Sequence, residues 1–208
     1  MGASSWMLTF LFWNLKGSRA DILANIVRRH EVDILMLAEC PLKPGPLLEV
    51  LNSTTNEFFY VQADCPKLEL FTRFSNQYVL PLTVGNDFLI HRVTLPERLE
   101  ILLAVVHFPS KLRQQPIDQT TYAIDFCDVL CRAEEAVVHG RTVLVGDLNM
   151  NPYEDGVVTK RGLHAVTTRA IARRRTRKGK FDSNPYFYNP MWRHFGERTE
   201  GHAGTYYY

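Results

Sequence analysis

The sequence predicts a mixed α/β fold, and three observations carry that prediction. Near-continuous apolar runs lie at residues 7–14, 32–38, 99–107 and 142–145, each the length of a buried strand. A helix-period stripe fills the short space between the first two, which suggests a strand–helix–strand crossover. Shorter strand-like runs at residues 58–61, 68–74, 78–82 and 88–93 follow in succession and resemble antiparallel ribbons.

Taken in order, residues 7–14 read as a central strand buried on both faces and ending on Asn14. Ser18, with Asp21 three residues on, has capping-box spacing, and Ile22, Leu23, Ile26 and Val27 give the following helix its apolar stripe. Residues 32–38 form a second buried strand, closed by Glu39. A short helix starts near Pro44 and Pro46 and carries Leu47, Leu48 and Leu51. The strand at 99–107 ends on His107. A long amphipathic helix over 118–139 presents Ala123, Phe126, Cys127, Leu130, Ala133 and Val137, and Gly140 stops it. The strand at 142–145 leads into Gly146-Asp147-Leu148-Asn149-Met150-Asn151-Pro152. Extended backbone there would point Asp147 and Asn149 to one side and Leu148 into the core. Beyond Pro152 the periodicity weakens, and aromatic residues are frequent from Tyr186 onward.

The 208 residues fit a single domain over 1–208, with ordinary globular composition: 46% hydrophobic and 22% charged. No apolar run approaches the roughly 18–20 residues of a membrane span. The N-terminal residues lack a basic region followed by an apolar one and a cleavage site, and Trp6 breaks the myristoylation pattern. Cys40, Cys65, Cys127 and Cys131 contain no Cys-x-x-Cys pair, so a reduced, cytoplasmic protein is expected. The net charge of +2 hides an asymmetry. Residues 156–181 hold nine basic side chains and no acid, which leaves the remainder net acidic and points to an anionic partner.

Four apolar strands thus end on polar residues: Asn14, Glu39, His107, and Asp147 with Asn149. Matched strand ends would bring all five together. Glu39 would suit one hard cation with amide or carboxylate neighbours and several waters, the usual way Mg²⁺ is held. Asp147 could orient or deprotonate a water. His107 could stabilise a phosphoryl oxygen or protonate a leaving group, and Asn149 could hold the nucleophile or a phosphate oxygen. The chemistry that needs these parts is in-line displacement at phosphorus. The alternatives without function are a turn amide at Asn14, a satisfied core histidine at His107 and an Asx turn after Asp147.

These residues, in this order, resemble the endonuclease/exonuclease/phosphatase superfamily, the deoxyribonuclease I-like hydrolases. The marks are Trp13-Asn14, Ala38-Glu39, Val106-His107 before a Pro, and Gly146-Asp147-Leu148-Asn149-Met150-Asn151-Pro152. Phe71-Thr72-Arg73 resembles a family strand that ends in Ser-Arg. The resemblance implies a four-layer αββα sandwich of two mixed sheets with helices outside, and phosphoester hydrolysis dependent on Mg²⁺ or Mn²⁺. It implies Glu39 as metal ligand with Asn14 its neighbour, His107 on the scissile phosphate, and Asp147 and Asn149 positioning the nucleophile and phosphate. The family closes on a Ser-Asp-His segment, whereas this sequence has no Asp-His pair. A chain lacking the family's last strands is therefore expected. Otherwise a second chain supplies them, or the protein is a non-catalytic relative.

The leading expectation is a nuclease acting on DNA or RNA. Arg73, Arg173, Arg174, Arg175, Arg177 and Lys178 are its candidate substrate contacts, because phosphate contacts give affinity without sequence readout. The alternatives are a phosphatase or phosphodiesterase for a smaller ester, such as a phosphoinositide, nucleotide or sphingolipid head group, and a non-catalytic binding module.

Overall fold

The computed structural model describes residues 7–17, 19–54, 57–111, 116–173 and 186–194. They belong to two compact units, Met1–Pro109 with Ala133–Leu148, and Ser110–Arg132 with Asn149–Tyr208.

The first unit holds two four-stranded mixed sheets. Strands β1 (Phe10–Asn14), β2 (Ile34–Ala38), β3 (Phe59–Val61) and β4 (Leu68–Thr72) make one, in the order β1-β2-β4-β3. Strands β5 (Val79–Val84), β6 (Phe88–Val93), β7 (Ile101–His107) and β8 (Thr142–Asp147) make the other, in the order β5-β6-β7-β8. Each sheet has one parallel pair at one edge, β1 with β2 and β7 with β8, and antiparallel pairing elsewhere. The parallel pairs require crossovers, supplied by α1 (Ala20–Arg29) and by the segment containing α3 (Pro116–Ala136). The two sheets pack face to face. Ile34, Met36, Ala38, Leu68 and Leu70 of one meet Val79, Leu89, Val93, Leu103 and Val105 of the other in a single apolar cluster. On its other face the first sheet is covered by α1 and α2 (Pro44–Leu51), where Leu23, Val27, Leu47 and Leu51 join Leu35, Leu37 and Phe71.

Several expectations change in detail, each for a local reason. Strand β1 begins at Phe10 and is half-buried throughout, because it lies at the edge of its sheet while β2, wholly buried, is central. The same holds for β8. In α1 the buried residues are Leu23, Ala24 and Val27, and Ile22 faces outward. Its N-cap position is Arg19 and makes no side-chain cap bond; Ser18 lies outside the described residues. The shorter strands do pair as antiparallel ribbons, but β3–β4 and β5–β6 belong to different sheets. Helix α3 buries Ala123, Phe126, Cys127, Leu130 and Ala133 as the stripe requires. It stops before Gly140, because Val138 turns left-handed at φ 57°.

The second unit contains α4 (Asp155–Val158), α5 (Arg169–Ala172) and a two-stranded parallel ribbon of β9 (Ala165–Val166) and β10 (Phe187–Tyr188). Gln119 Nε2 of α3 donates to the Asn149 carbonyl at 3.1 Å, and Cys127 Sγ to the Gly162 carbonyl at 3.1 Å. Glu154 gathers Lys111 and the backbone and side-chain amides of Asn151. Burial alone would raise the Glu154 carboxyl, but those bonds hold it below the usual carboxylate range. Among the described residues no helix is long and apolar enough to cross a membrane.

Candidate functional site

Parallel pairing places the C-terminal ends of β1 and β2 side by side, with Asn14 opposite Ala38. Leu15 N–H donates to the Ala38 carbonyl at 2.8 Å, so the ladder runs one residue past Asn14 and holds it in place. Glu39 follows at φ 49°, a left-handed turn for a side chain with a Cβ. In the other sheet His107 lies opposite Asp147 at the ends of β7 and β8. Gly146 makes that pairing possible. Its φ is 154°, and a Cβ there would meet the Val106 carbonyl oxygen at 2.0 Å. Only glycine lets β8 lie this close to β7 just before the acid.

The two sheets then join at these ends. Asn14 Nδ2 donates to Asp147 Oδ2 and to Glu39 Oε1, each at 3.3 Å. His107 Nε2 lies 3.3 Å from Glu39 Oε1, and Lys16 Nζ lies 3.9 Å from Glu39 Oε2. Four of the five strand-end residues, Asn14, Glu39, His107 and Asp147, are thus brought together within the first unit.

A third cross-sheet pair stands in the same row. Antiparallel register sets Leu68 opposite Ala38, so Lys67 is level with Glu39. His107 N–H donates to the Asp87 carbonyl at 2.8 Å, so Asp87 is level with His107. Lys67 and Asp87 form an ion pair between the sheets. Asn14–Asp147, Glu39–His107 and Lys67–Asp87 are therefore three polar rungs across one end of the two-sheet core. Sequence reasoning omits the third. Lys67 follows a Pro and Asp87 follows an Asn, so both read as turn residues, and only the register of both sheets makes them partners.

The donor set suits a hard cation. Two carboxylates face one amide, and that geometry directs the Asn14 NH₂ toward both of them. Asn14 Oδ1 is then left buried with no hydrogen-bond partner among the described residues. A buried amide oxygen beside two carboxylates is a fitting ligand group for Mg²⁺ or Mn²⁺, which take few protein oxygens and keep several waters. Among the described residues no group of three or more His, Cys, Asp and Glu forms a metal cage of its own. His107 Nδ1 is likewise buried and unpartnered among them.

Solved structures resemble this arrangement in fold. The chain is similar to TDP2 from Caenorhabditis elegans. The TM-score is 0.51 at 18% identity, over 71% of this chain and 48% of that one, so the chain spans about half the length of that protein. A conserved protein of unknown function from Enterococcus faecalis V583 matches with a TM-score of 0.50 at 12% identity, over 70% of this chain and 68% of that one. A humanized D. rerio TDP2 aligns at 22% identity with a TM-score of 0.48, over 71% and 68% of the two chains. At these identities the likeness is one of fold, and the two mixed sheets with their helices agree with the deoxyribonuclease I-like architecture of TDP2. No protein-family model and no curated protein sequence matches the chain.

Asn149 belongs to the second unit, where it is buried at φ 51°. Strand β8 has ended at Asp147, so the two-residue alternation that set Asn149 beside Asp147 does not operate, and Leu148 is half-buried. Arg73 follows Thr72, which pairs with Ile34 at the start of β2, the opposite end of the sheet from Glu39. Its guanidinium lies 2.6 Å from Glu57 and 4.0 Å from Asp33, two carboxylates that neutralise it there. Arg173 is exposed after α5. Arg174, Arg175, Arg177 and Lys178 lie outside the described residues.

Proposed function

We propose that this chain is a divalent-metal-dependent phosphodiester hydrolase acting on nucleic acid. The observation that supports this most is the row of three cross-sheet rungs. It places a carboxylate pair, an amide, an imidazole and an ammonium at one end of a rigid apolar core. Glu39 and Asn14 Oδ1 would hold the cation, with Asp147 beside them. Bound there, Mg²⁺ or Mn²⁺ would neutralise charge on the phosphoryl oxygens. Asn14 Nδ2 keeps the two carboxylates in fixed positions. Asp147 orients the attacking water and takes its proton. His107, steadied through Nε2 by Glu39, stabilises a phosphoryl oxygen or protonates the leaving oxygen. Lys67, anchored by Asp87, adds a cation at the end of the row for a substrate phosphate. Asn149, two residues beyond Asp147 in the chain, would hold the nucleophile or a phosphate oxygen through its amide. The basic run of residues 156–181 favours a polyanion over a small ester.

Incubation with DNA and Mg²⁺ tests this. Cleavage is expected to stop with a chelator and to fall by about 100-fold or more in Asp147→Asn and Glu39→Gln. Replacing Arg173, Arg174 and Arg175 with Ala is expected to weaken DNA binding and flatten its salt dependence. No cleavage by the chain, or cleavage that both single substitutions leave intact, sinks the hydrolase reading.

A further inference from the structure

The second unit carries a surface unlike the strand-end site. Two ring contacts sit at β10. His164 lies against Tyr186 with ring centroids 4.1 Å apart and the ring planes tilted by 41°, and the Arg169 guanidinium lies 5.3 Å over the Tyr188 ring. Tyr186 immediately precedes β10 and Tyr188 ends it; in the parallel register that pairs Phe187 with Ala165, Tyr186 falls level with His164, and two residues of extended chain span about 6.6 Å. The ladder continues on both sides of Tyr188: Phe187 pairs with Ala165, Tyr188 with Val166, and Asn189 N–H donates to the Val166 carbonyl at 2.9 Å. The tyrosines and His164 are half-buried, and Arg169 is exposed. Lys160 and Arg161, also exposed, precede β9. The rings are partly buried, and the exposed Arg169, Lys160 and Arg161 give this part of the second unit a cationic surface.

We infer that this ribbon of the second unit is a base-stacking platform for single-stranded nucleic acid. Two tyrosine rings two residues apart, one against an imidazole and one under a guanidinium, approximate the step between unstacked bases on an extended single strand. Strand-borne aromatics used this way hold bases by their π-faces, which every base has and a duplex hides. A guanidinium lying on a tyrosine offers its own outer face to a base while its charge meets the neighbouring phosphate. Lys160 and Arg161 add phosphate contacts without sequence preference. Duplex ends and folded RNA offer fewer free base faces and bind less well here. The inference rests on the nucleic-acid reading above and names the form of the nucleic acid.

The test is fluorescence anisotropy of a labelled oligothymidine single strand, and of the same strand in duplex, with the full chain in chelator so that nothing is cleaved. Cleavage of single-stranded and duplex DNA by the unaltered chain with Mg²⁺ is measured separately. Single strand is expected to bind more tightly than duplex. Tyr188→Ala and Tyr186→Ala are each expected to weaken single-strand binding about tenfold with the salt slope unchanged. Tyr188→Phe, which keeps the ring, is expected to bind like the parent. Arg169→Ala is expected to weaken binding and lower the salt slope. If Tyr188→Ala melts below the assay temperature, Tyr186→Ala and the Tyr188→Phe and Arg169→Ala pair still decide. Duplex bound as tightly as single strand, or single-strand binding indifferent to both tyrosines, overturns the platform. A chain that binds single strands through these tyrosines but cleaves neither single-stranded nor duplex DNA with Mg²⁺ overturns the proposed function and leaves the platform standing.

Discussion

Val138 has a φ of 57° and is 89% exposed, so a β-branched side chain sits in a conformation that crowds its Cβ and offers no burial in return. The position ends α3, where Val138 and His139 donate to the Glu135 and Glu134 carbonyls at 3.1 Å. Glycine is the residue such a cap favours. Val138→Gly is expected to stabilise the protein by about 0.5–1 kcal/mol after the extra chain entropy of glycine is subtracted, read as a rise in Tm. The same conformation recurs at Glu39, where it turns a carboxylate toward Asn14 and His107, so there the strain accompanies the proposed chemistry. These backbone states mark the limit of what sequence could convey. Asn14, Glu39, His107 and Asp147 were legible because each ends an apolar run, where an ionisable or amide side chain needs a reason. The left-handed turn at Asn149 has no sequence mark beyond the tolerance of asparagine for it, and it is what separates Asn149 from the strand's alternation.

Between elements, Glu100 does the most joining. It precedes β7 and accepts from Arg92 Nε at 2.6 Å and Thr94 Oγ1 at 3.3 Å, both at the end of β6. His139 Nε2 lies 3.0 Å from its other oxygen, and Arg141 Nε donates to its carbonyl at 2.7 Å. The Arg141 N–H donates to His139 Nδ1, which leaves the ring proton on Nε2, pointing at Glu100. Burial by itself would raise this carboxyl, but Arg92 and His139 hold it below the usual range. Its contribution is therefore present above the unfolded value of about 4.5 and is lost as pH falls below it. Glu100→Ala is expected to cost about 2 kcal/mol, seen in denaturant unfolding at neutral pH, with the difference from the parent shrinking in acid. Strand and helix identities were legible from periodicity. Edge position was not, since the apolar runs of β1 and β8 look like those of the central strands β2 and β7. Lys67 and Asp87 went unread for a similar reason: no local pattern encodes a partner in another sheet.

Over the molecule as a whole, the core between the sheets includes a buried imidazole. His91 is fully buried, alternates with Leu89 and Val93 on the inner face of β6, and has no hydrogen-bond partner for either ring nitrogen among the described residues. Burial pushes it down to about 4 from its ordinary 6.5. The folded protein keeps it neutral while the unfolded chain protonates it. Stability is then greatest above about 6.5 and falls by about 1.4 kcal/mol per pH unit until about 4, where the loss levels off. His91→Leu is expected to remove that slope between about pH 6.5 and 5 in thermal unfolding, whatever its effect on Tm at neutral pH. The order of the strands has one more consequence, for how the protein comes off the ribosome. The first sheet needs nothing beyond Thr72, but the second cannot pair its edge until Thr142–Asp147 has emerged. Each polar rung takes one side chain from the early sheet and one from the late one. Asn14, Glu39 and Lys67 are therefore made well before Asp147, and the row of rungs is complete only once synthesis has passed β8.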